Sequence, residues 1–205
     1  NAEHSTYYNW IAPDAPQSKA ADIIHGLDLM MKDHKAPLIL AWILGSLLKV
    51  HLGYWPHLNS VASTGTGKST LLGIFNKLVG TQHLSHTSVS TSYQRMKAIG
   101  NHLLPVTIDE INRAEELEQG QFRQLLHNAY QHTLKPHGQK GFYLLAGPVG
   151  LFGQDFDYKN DAALITKFLQ IDLDGAKIDG QLYTPADPFP VRKWADWIIN
   201  TIDPD

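Results

Sequence analysis

The chain has 205 residues, 43% of them hydrophobic and 18% charged, and a formal net charge of −3 with histidine neutral. That is the size and composition of one α/β domain with room for a small helical appendage; it excludes a disordered chain and a surface that coats itself indiscriminately with nucleic acid. There is no cysteine, so disulfides, thiolate nucleophiles and Cys-ligated zinc are excluded as well.

Asn1–Trp10 has neither the basic start nor the apolar core of a signal peptide. The longest apolar run, Ala36–Leu48, stops at Lys49, short of the roughly 20 residues that span a bilayer. The expectation is a cytoplasmic protein with no membrane partner. A chain that opens on Asn1 rather than Met is also what a fragment of a longer protein would show.

In chain order, Asn1–Gln17 reads as an extended lead-in carrying Pro13 and Pro16. Ser18–Lys32 has Ile23, Ile24, Leu27, Met30 and Met31 at helical spacing. Pro37 suits a first helical turn, and Leu38–Leu52 follows as a helix apolar nearly all round, hence packed within the protein. After the break at Gly53–Pro56 the pattern alternates. Leu58–Ala62 predicts a strand, Ser63–Gly67 a loop and Lys68–Val79 a helix closed by Gly80. A polar stretch, Thr81–Ser92, leads to a helix around Tyr93–His102, then a buried strand Val106–Ile108 and a long amphipathic helix Glu115–His132. Phe142–Ala146 and Phe168–Leu173 predict two more buried strands, and Val191–Ile202 a closing helix with Trp194, Trp197 and Ile198 on one face. Strands alternating with helices predict a mostly parallel sheet flanked by helices, the α/β class. The expected division is residues 1–53 as lead-in and helical segment, 54–175 as the core, and 176–205 as a C-terminal extension.

Between the first strand and its helix stands Ala62-Ser-Thr-Gly-Thr-Gly-Lys-Ser69-Thr70, the Walker A pattern of a P-loop NTPase with alanine in place of the first glycine. Gly65 and Gly67 let the backbone of Thr64–Gly67 turn its N–H groups inward around phosphates, and the helix beginning near Lys68 points its positive end at the same anion. Lys68 reaches the β- and γ-phosphates, the Ser69 hydroxyl ligates Mg²⁺, and Thr70 completes the nucleotide-binding set. About forty residues on, Leu103-Leu-Pro-Val-Thr-Ile-Asp109-Glu110 is an apolar strand ending in two carboxylates, the Walker B signature. Asp109 is assigned to Mg²⁺. Glu110 is assigned as general base for the attacking water, a role commonly worth about 10²–10⁴-fold in rate. A glutamate at this position is expected of ATPases of the additional-strand, catalytic-glutamate class and not of P-loop kinases or GTPases. ATP and Mg²⁺ are therefore the expected ligands.

With both motifs placed, Pro37–Asp172 resembles the helicase-type ATPase domains of phage, plasmid and mobile-element replication proteins, which include superfamily 3 helicases and related primase-helicases. The likeness runs through the apolar helix before the loop, Ala62–Thr70, Leu104-Pro-Val-Thr-Ile-Asp-Glu110, Phe142–Gly147, and Asp161-Ala-Ala-Leu-Ile-Thr-Lys167 entering a strand. It implies a five-stranded sheet of order 5-1-4-3-2, a homo-oligomeric and usually hexameric ring with ATP between subunits, a polar sensor ending Phe142–Ala146, and a basic finger reaching the neighbour's nucleotide. Gly147-Pro148 ends that strand instead, leaving Gln154 as the nearest polar residue, and Lys167 stands where such families often carry an arginine. The same comparison gives Thr133–Gly141 the place of a DNA-contacting hairpin, with Lys135, His137 and Lys140 as contacts to single-stranded DNA.

Eleven histidines include the pairs His83/His86 and His127/His132, which lack metal-site patterns and read as surface or satisfied polar residues. Trp42, Trp55, Trp194 and Trp197 read as core or subunit contacts, and Ser88, Ser90 and Ser92 lack a nearby base. Two functions stay open, a motor acting on nucleic acid and an ATPase that remodels protein partners. Glu110 and the absence of an Arg-rich lid count against a third, a small-molecule kinase.

Overall fold

The computed structural model describes residues 19–30, 35–61, 68–79, 85–86, 99–100, 104–109, 116–131, 133–136, 142–145, 147–153, 161–172 and 201. Helix α1 spans Ala20–Met30 and α2 spans Lys35–Gly45; a 3-10 turn, Ser46–Leu48, and the short α3, Lys49–Leu52, complete the N-terminal helical segment. Strand β1 (His57–Val61) precedes α4 (Lys68–Val79), β2 (Ser85–His86) and β3 (Val106–Asp109). Then come α5 (Glu116–Tyr130), β4 (Thr133–Pro136), β5 (Phe142–Leu145), β6 (Val149–Gly153), α6 (Ala162–Ile165) and β7 (Phe168–Asp172). The sequence-predicted helix around Tyr93–His102 and the closing helix Val191–Ile202 fall almost wholly outside the described residues.

Five strands form one sheet in the order β2-β3-β6-β1-β7, every pair parallel. Parallel neighbours need a crossover, so α4 and α5 must lie against the sheet's faces. The two-residue period of the strands sorts the core accordingly. Leu58 and Phe152 face α1, α2 and α4, where they meet Ile23, Ile39, Trp42, Ile43, Leu71 and Phe75. Val106, Ile108, Val149 and Leu151 face α5, against Phe122, Leu125, Leu126 and Ala129. Those last four recur at i, i+3, i+4 and i+7, the stripe that one helix face buries.

Two expectations about strands need correcting. Phe142–Leu145 does not enter the main sheet; it pairs antiparallel with β4 in a separate two-stranded hairpin, Thr133 opposite Leu145 and Pro136 opposite Phe142. Leu144 is exposed and Leu145 buried, the alternation of a hairpin with one covered face rather than of a doubly buried strand. The fourth strand of the sheet is Val149–Gly153, whose two glycines and lack of alternation hide it in the sequence. The long helix also ends earlier than its apolar pattern suggests, at Tyr130, because the chain turns into β4.

The helix before β1 is not buried all round. Ala41 and Leu38 are exposed, while Trp42 and Ile43 are buried. At Gly45 the ring of Trp55 lies so close that a Cβ would stand 2.4 Å from it, and the Trp55 indole N–H donates to the Trp42 carbonyl at 3.1 Å. That carbonyl is one that an uninterrupted helix would bond to residue 46, and there the backbone tightens into the 3-10 turn. Gly53, at φ 72°, closes α3 in the left-handed conformation glycine favours. Lys49, which the sequence suggests as the polar end of the apolar run, is fully buried, and its ammonium donates to the Ala129 carbonyl in the last turn of α5. Burial lowers its pKa to about 7.

His57 opens β1 and is fully buried. Its Nδ1 accepts from the Val149 N–H at 3.0 Å and its Nε2 lies 2.9 Å from the Leu126 carbonyl, so Nε2 carries the proton and the ring is neutral. Burial, the largest cause, lowers its pKa to about 3. The unfolded imidazole takes up a proton near pH 6.5 and the folded one does not until about pH 3, so stability falls as pH drops through that window. The slope from this one group is up to about 1.4 kcal/mol per pH unit. His57→Gln keeps a donor for Leu126 but cannot titrate. It should be less stable than the parent near pH 7 and lose less stability between pH 6.5 and 4, which urea denaturation at stepped pH checks.

Candidate functional site

The phosphate-loop segment joins β1, an inner strand between β6 and β7, to the helix that returns over it. Val61 is the last residue of β1 and Lys68 the first of α4. Thr64, Gly65, Thr66 and Gly67, with Ala62 and Ser63, fall outside the described residues, as does Glu110. On the first turn of α4, Ser69 is exposed and Thr70 half-buried. Asp109 is the last residue of β3. Registers fix its level: Asp109 pairs with Phe152, and Phe152 with Ser60. The acidic strand end therefore stands within one residue of the end of β1, on the same edge of the sheet. It is two strand spacings to the side, about 10 Å at about 4.8 Å per strand.

One buried hydrogen bond sets how α4 sits on β3. The Thr107 hydroxyl donates to Asn76 Oδ1 at 3.0 Å, both residues being nearly inaccessible. Around them stand Trp42, Phe75, Pro105 and Phe152, apolar surroundings in which such a bond is strong and its loss costly. Seven residues, two helical turns or about 10.5 Å, lead from Asn76 back to Ser69. Two residues, about 6.6 Å, lead from Thr107 on to Asp109. Because α4 runs against the strand direction, both paths climb to the same edge. The bond thus registers the helix that opens with the phosphate loop against the strand that ends in the carboxylate. The sequence signal for it was a polar residue on the apolar face of α4, and it was missed.

Lys167 is not brought to that edge. Its carbonyl accepts from the His57 N–H at 2.8 Å, so it sits where β1 and β7 begin. The four-residue length of strand from His57 to Val61, about 13 Å, separates it from the phosphate loop of its own chain. Its ammonium lies 3.0 Å from His127 Nδ1 and 5.2 Å from the centre of the Tyr130 ring. His127 Nε2 in turn lies 3.0 Å from Asp161 Oδ2, so His127 is a satisfied polar residue of α5. This group, too, is invisible as a group in the sequence: 34 and 40 residues separate His127 from Asp161 and from Lys167.

Of the three residues assigned to DNA, Lys135 lies in β4 opposite Tyr143, while His137 and Lys140 lie outside the described residues, as does Gln154. Trp42 is core, its indole N–H bonded to the Pro56 carbonyl at 2.8 Å. Among the described residues no cluster of potential metal ligands occurs, and no helix is long and apolar enough to cross a membrane.

Removing Asn76 leaves the buried Thr107 hydroxyl without this acceptor, and removing Thr107 takes a donor from the buried Asn76 amide; losses of this kind cost about 1–3 kcal/mol. Thr107→Val and Asn76→Leu should each destabilise on that scale. Their combination should cost clearly less than the two losses added, since neither polar group then remains; a double-mutant cycle by chemical denaturation measures the coupling.

No protein-family model matches the chain, and no curated protein sequence matches it. Solved structures do. A mutant of RuvB from Thermotoga maritima aligns with a TM-score of 0.45 at 17% identity, over 72% of this chain and 47% of that one. The apo C-terminal region of NrS-1 aligns with a TM-score of 0.45 at 14% identity, over 93% and 48%. The JCV helicase aligns with a TM-score of 0.44 at 12% identity, over 89% and 66%. The chain thus spans about half the length of the RuvB and NrS-1 structures it matches.

Proposed function

We propose that this chain is the ATPase domain of a nucleic-acid motor, a P-loop NTPase of the catalytic-glutamate class akin to the helicase domains of phage or mobile-element replication proteins. The observation that carries the reading is the shared edge: the phosphate-loop segment leaves β1 where Asp109 ends a strand two positions away. Numbering the five sheet strands by their order in the chain, the sheet reads 5-1-4-3-2 with Val149–Gly153 as the fourth. In this reading the backbone of Thr64–Gly67, with Lys68, Ser69 and Thr70, holds the ATP phosphates.

Ser69, exposed on the first turn of α4, and Asp109, at the end of β3, are hard-oxygen donors on one edge, the donor set that suits Mg²⁺. When bound, Mg²⁺ supplies charge neutralisation at the β- and γ-oxygens. Lys68 adds a point charge at the same oxygens. Glu110 takes the proton of the attacking water, and Gln154, directly after β6, is the polar side chain next to the γ-phosphate. Lys167, on the far edge, serves the nucleotide of a neighbouring copy in a ring. Lys135, His137 and Lys140, carried by the β4–β5 hairpin, contact single-stranded DNA.

Lys68→Ala should lose most nucleotide binding in calorimetry while keeping its circular dichroism. Glu110→Gln should bind Mg-ATP normally and turn over about a hundredfold more slowly, in the range expected for loss of a general base; wild-type turnover by this variant would remove the class assignment. In the assembled state, ATPase rates with and without single-stranded DNA at two salt concentrations decide between motor and remodeller. Replacing Lys135 and Lys140 by Ala should lower the DNA-stimulated rate, leave the basal rate, and flatten the salt dependence of binding by roughly 0.7 in logarithmic slope per lost phosphate contact. No stimulation of the wild type by DNA would favour a protein partner.

A further inference from the structure

Five residues from four parts of the chain meet at the amino-terminal edge of the sheet. The Lys167 ammonium lies 3.0 Å from His127 Nδ1, and His127 Nε2 lies 3.0 Å from Asp161 Oδ2. The other Asp161 oxygen accepts from the Leu164 N–H at 2.9 Å and so caps α6. Tyr130, three residues after His127 and hence on the same side of α5, offers its ring to the ammonium from 5.2 Å. Its other neighbour is the Tyr54 ring, with centroids 5.6 Å apart and planes 28° apart.

Donor and acceptor chemistry leaves one arrangement of protons. An ammonium has three donors and no acceptor, so His127 Nδ1 must present its lone pair. Nε2 therefore carries the proton and gives it to Asp161, an acceptor only. The hydrogen bond from His127 is the main cause that holds the Asp161 carboxyl below its usual range. Asp161 does not neutralise Lys167; it fixes the imidazole tautomer that holds Lys167. The cation is left between a neutral ring nitrogen and a π face, and among the described residues no carboxylate pairs with it.

The position is also fixed. The Lys167 N–H bonds the Leu164 carbonyl at 2.9 Å and its carbonyl takes the His57 N–H, so the backbone on both sides of the side chain is tied down. Half-buried and held at its tip, the side chain has already lost much of the rotamer freedom that a loose lysine would lose on meeting an anion. A merely structural ion pair would place the carboxylate against the ammonium. Here the carboxylate is one ring away.

We propose that Asp161, His127 and Tyr130 are positioning residues for Lys167, holding its uncompensated ammonium at this edge for a phosphoryl group presented by a second copy of the chain. The assignment of that phosphoryl group rests on the ATPase reading above, because the phosphate loop of the same chain lies at the opposite edge.

Asp161→Asn tests the positioning without removing the helix cap. The amide oxygen can still accept from the Leu164 N–H, but its NH₂ then faces Nε2. The imidazole proton moves to Nδ1, where a donor meets the ammonium and Lys167 is expelled. Nitrogen-15 shifts of His127 in the nucleotide-free chain should report the Nε2–H tautomer in the wild type and Nδ1–H in the variant. Acylation of Lys167 by acetic anhydride, followed by mass spectrometry, should speed up several-fold in Asp161→Asn and His127→Leu. His127→Gln, whose amide oxygen can accept from Nζ, should restore slow acylation. An Nδ1–H tautomer in the wild type, or unchanged acylation in both variants, overturns the positioning whatever the enzyme does with ATP.

Use of the cation is read separately. In the assembled wild type, a non-hydrolysable ATP analogue should protect Lys167 from acylation, increasingly so at higher chain concentration. Asp161→Asn should lower turnover by the same factor as Lys167→Ala, with KM for ATP within about twofold of wild type, the pattern of a contact made in the transition state. Protection by inorganic phosphate alone, independent of chain concentration, overturns the second copy as the source. Full turnover by Lys167→Ala overturns the phosphoryl role while leaving the tautomer result to stand.

Discussion

A neutral imidazole in the middle of the protein carries the geometry of both edges of the sheet. His57 accepts from the Val149 N–H, faces the Leu126 carbonyl with its protonated nitrogen, and gives its own backbone N–H to Lys167. One residue thereby sets where β6 and β7 begin beside β1 and how far α5 stands from the sheet. Val149 and Val106 start level with each other, so the same tie reaches β3, and through three more residues to Asp109. A protonated His57 could not accept from Val149 and would stand as a charge in an apolar interior, which is why burial keeps it neutral far below the usual imidazole range.

The two edges differ in what they collect. At the carboxyl edge, polar groups come from a strand end and a helix start, and the registers and the Asn76–Thr107 bond bring their backbones level. At the amino edge, a cation is steadied by an aromatic ring and an oriented imidazole. A parallel sheet keeps these edges apart by the length of its strands, so residues assigned to one reaction but standing on both can meet only between molecules.

How much of this could be read from residues alone depended on the range of the interactions. Local chemistry was legible: an apolar run ending in carboxylates and helical spacing over Lys68–Val79 give β3 and α4 nearly to the residue. The fourth strand was not, because Val149-Gly-Leu-Phe-Gly153 carries no alternation, while Phe142–Leu145 has strand-forming residues that a local hairpin uses instead. Lys49 reads as the end of a buried run and is itself buried, since its partner on α5 lies 80 residues away. Lys167 was legible as a cation before the last strand, but its partners come from α5 and the cap of α6, contacts that only the tertiary fold creates.

The place of β1 between β6 and β7 bears on how the chain comes to be folded. Both neighbours of that strand arrive late in synthesis: the partner His57 reaches through its ring is 92 residues downstream, and the strand on its other side begins later still. Until then the middle of the sheet has two open edges and its apolar face has helices but no companion strands. Contacts of such separation form slowly, and exposed strand edges recruit other chains. A ribosome-bound chain halted before Val149 would hold the phosphate-loop helix and the N-terminal helices, with β2 and β3 able to pair but β1 without either partner. Any cut that removes β6 or β7 takes from β1 one of the two strands it pairs with.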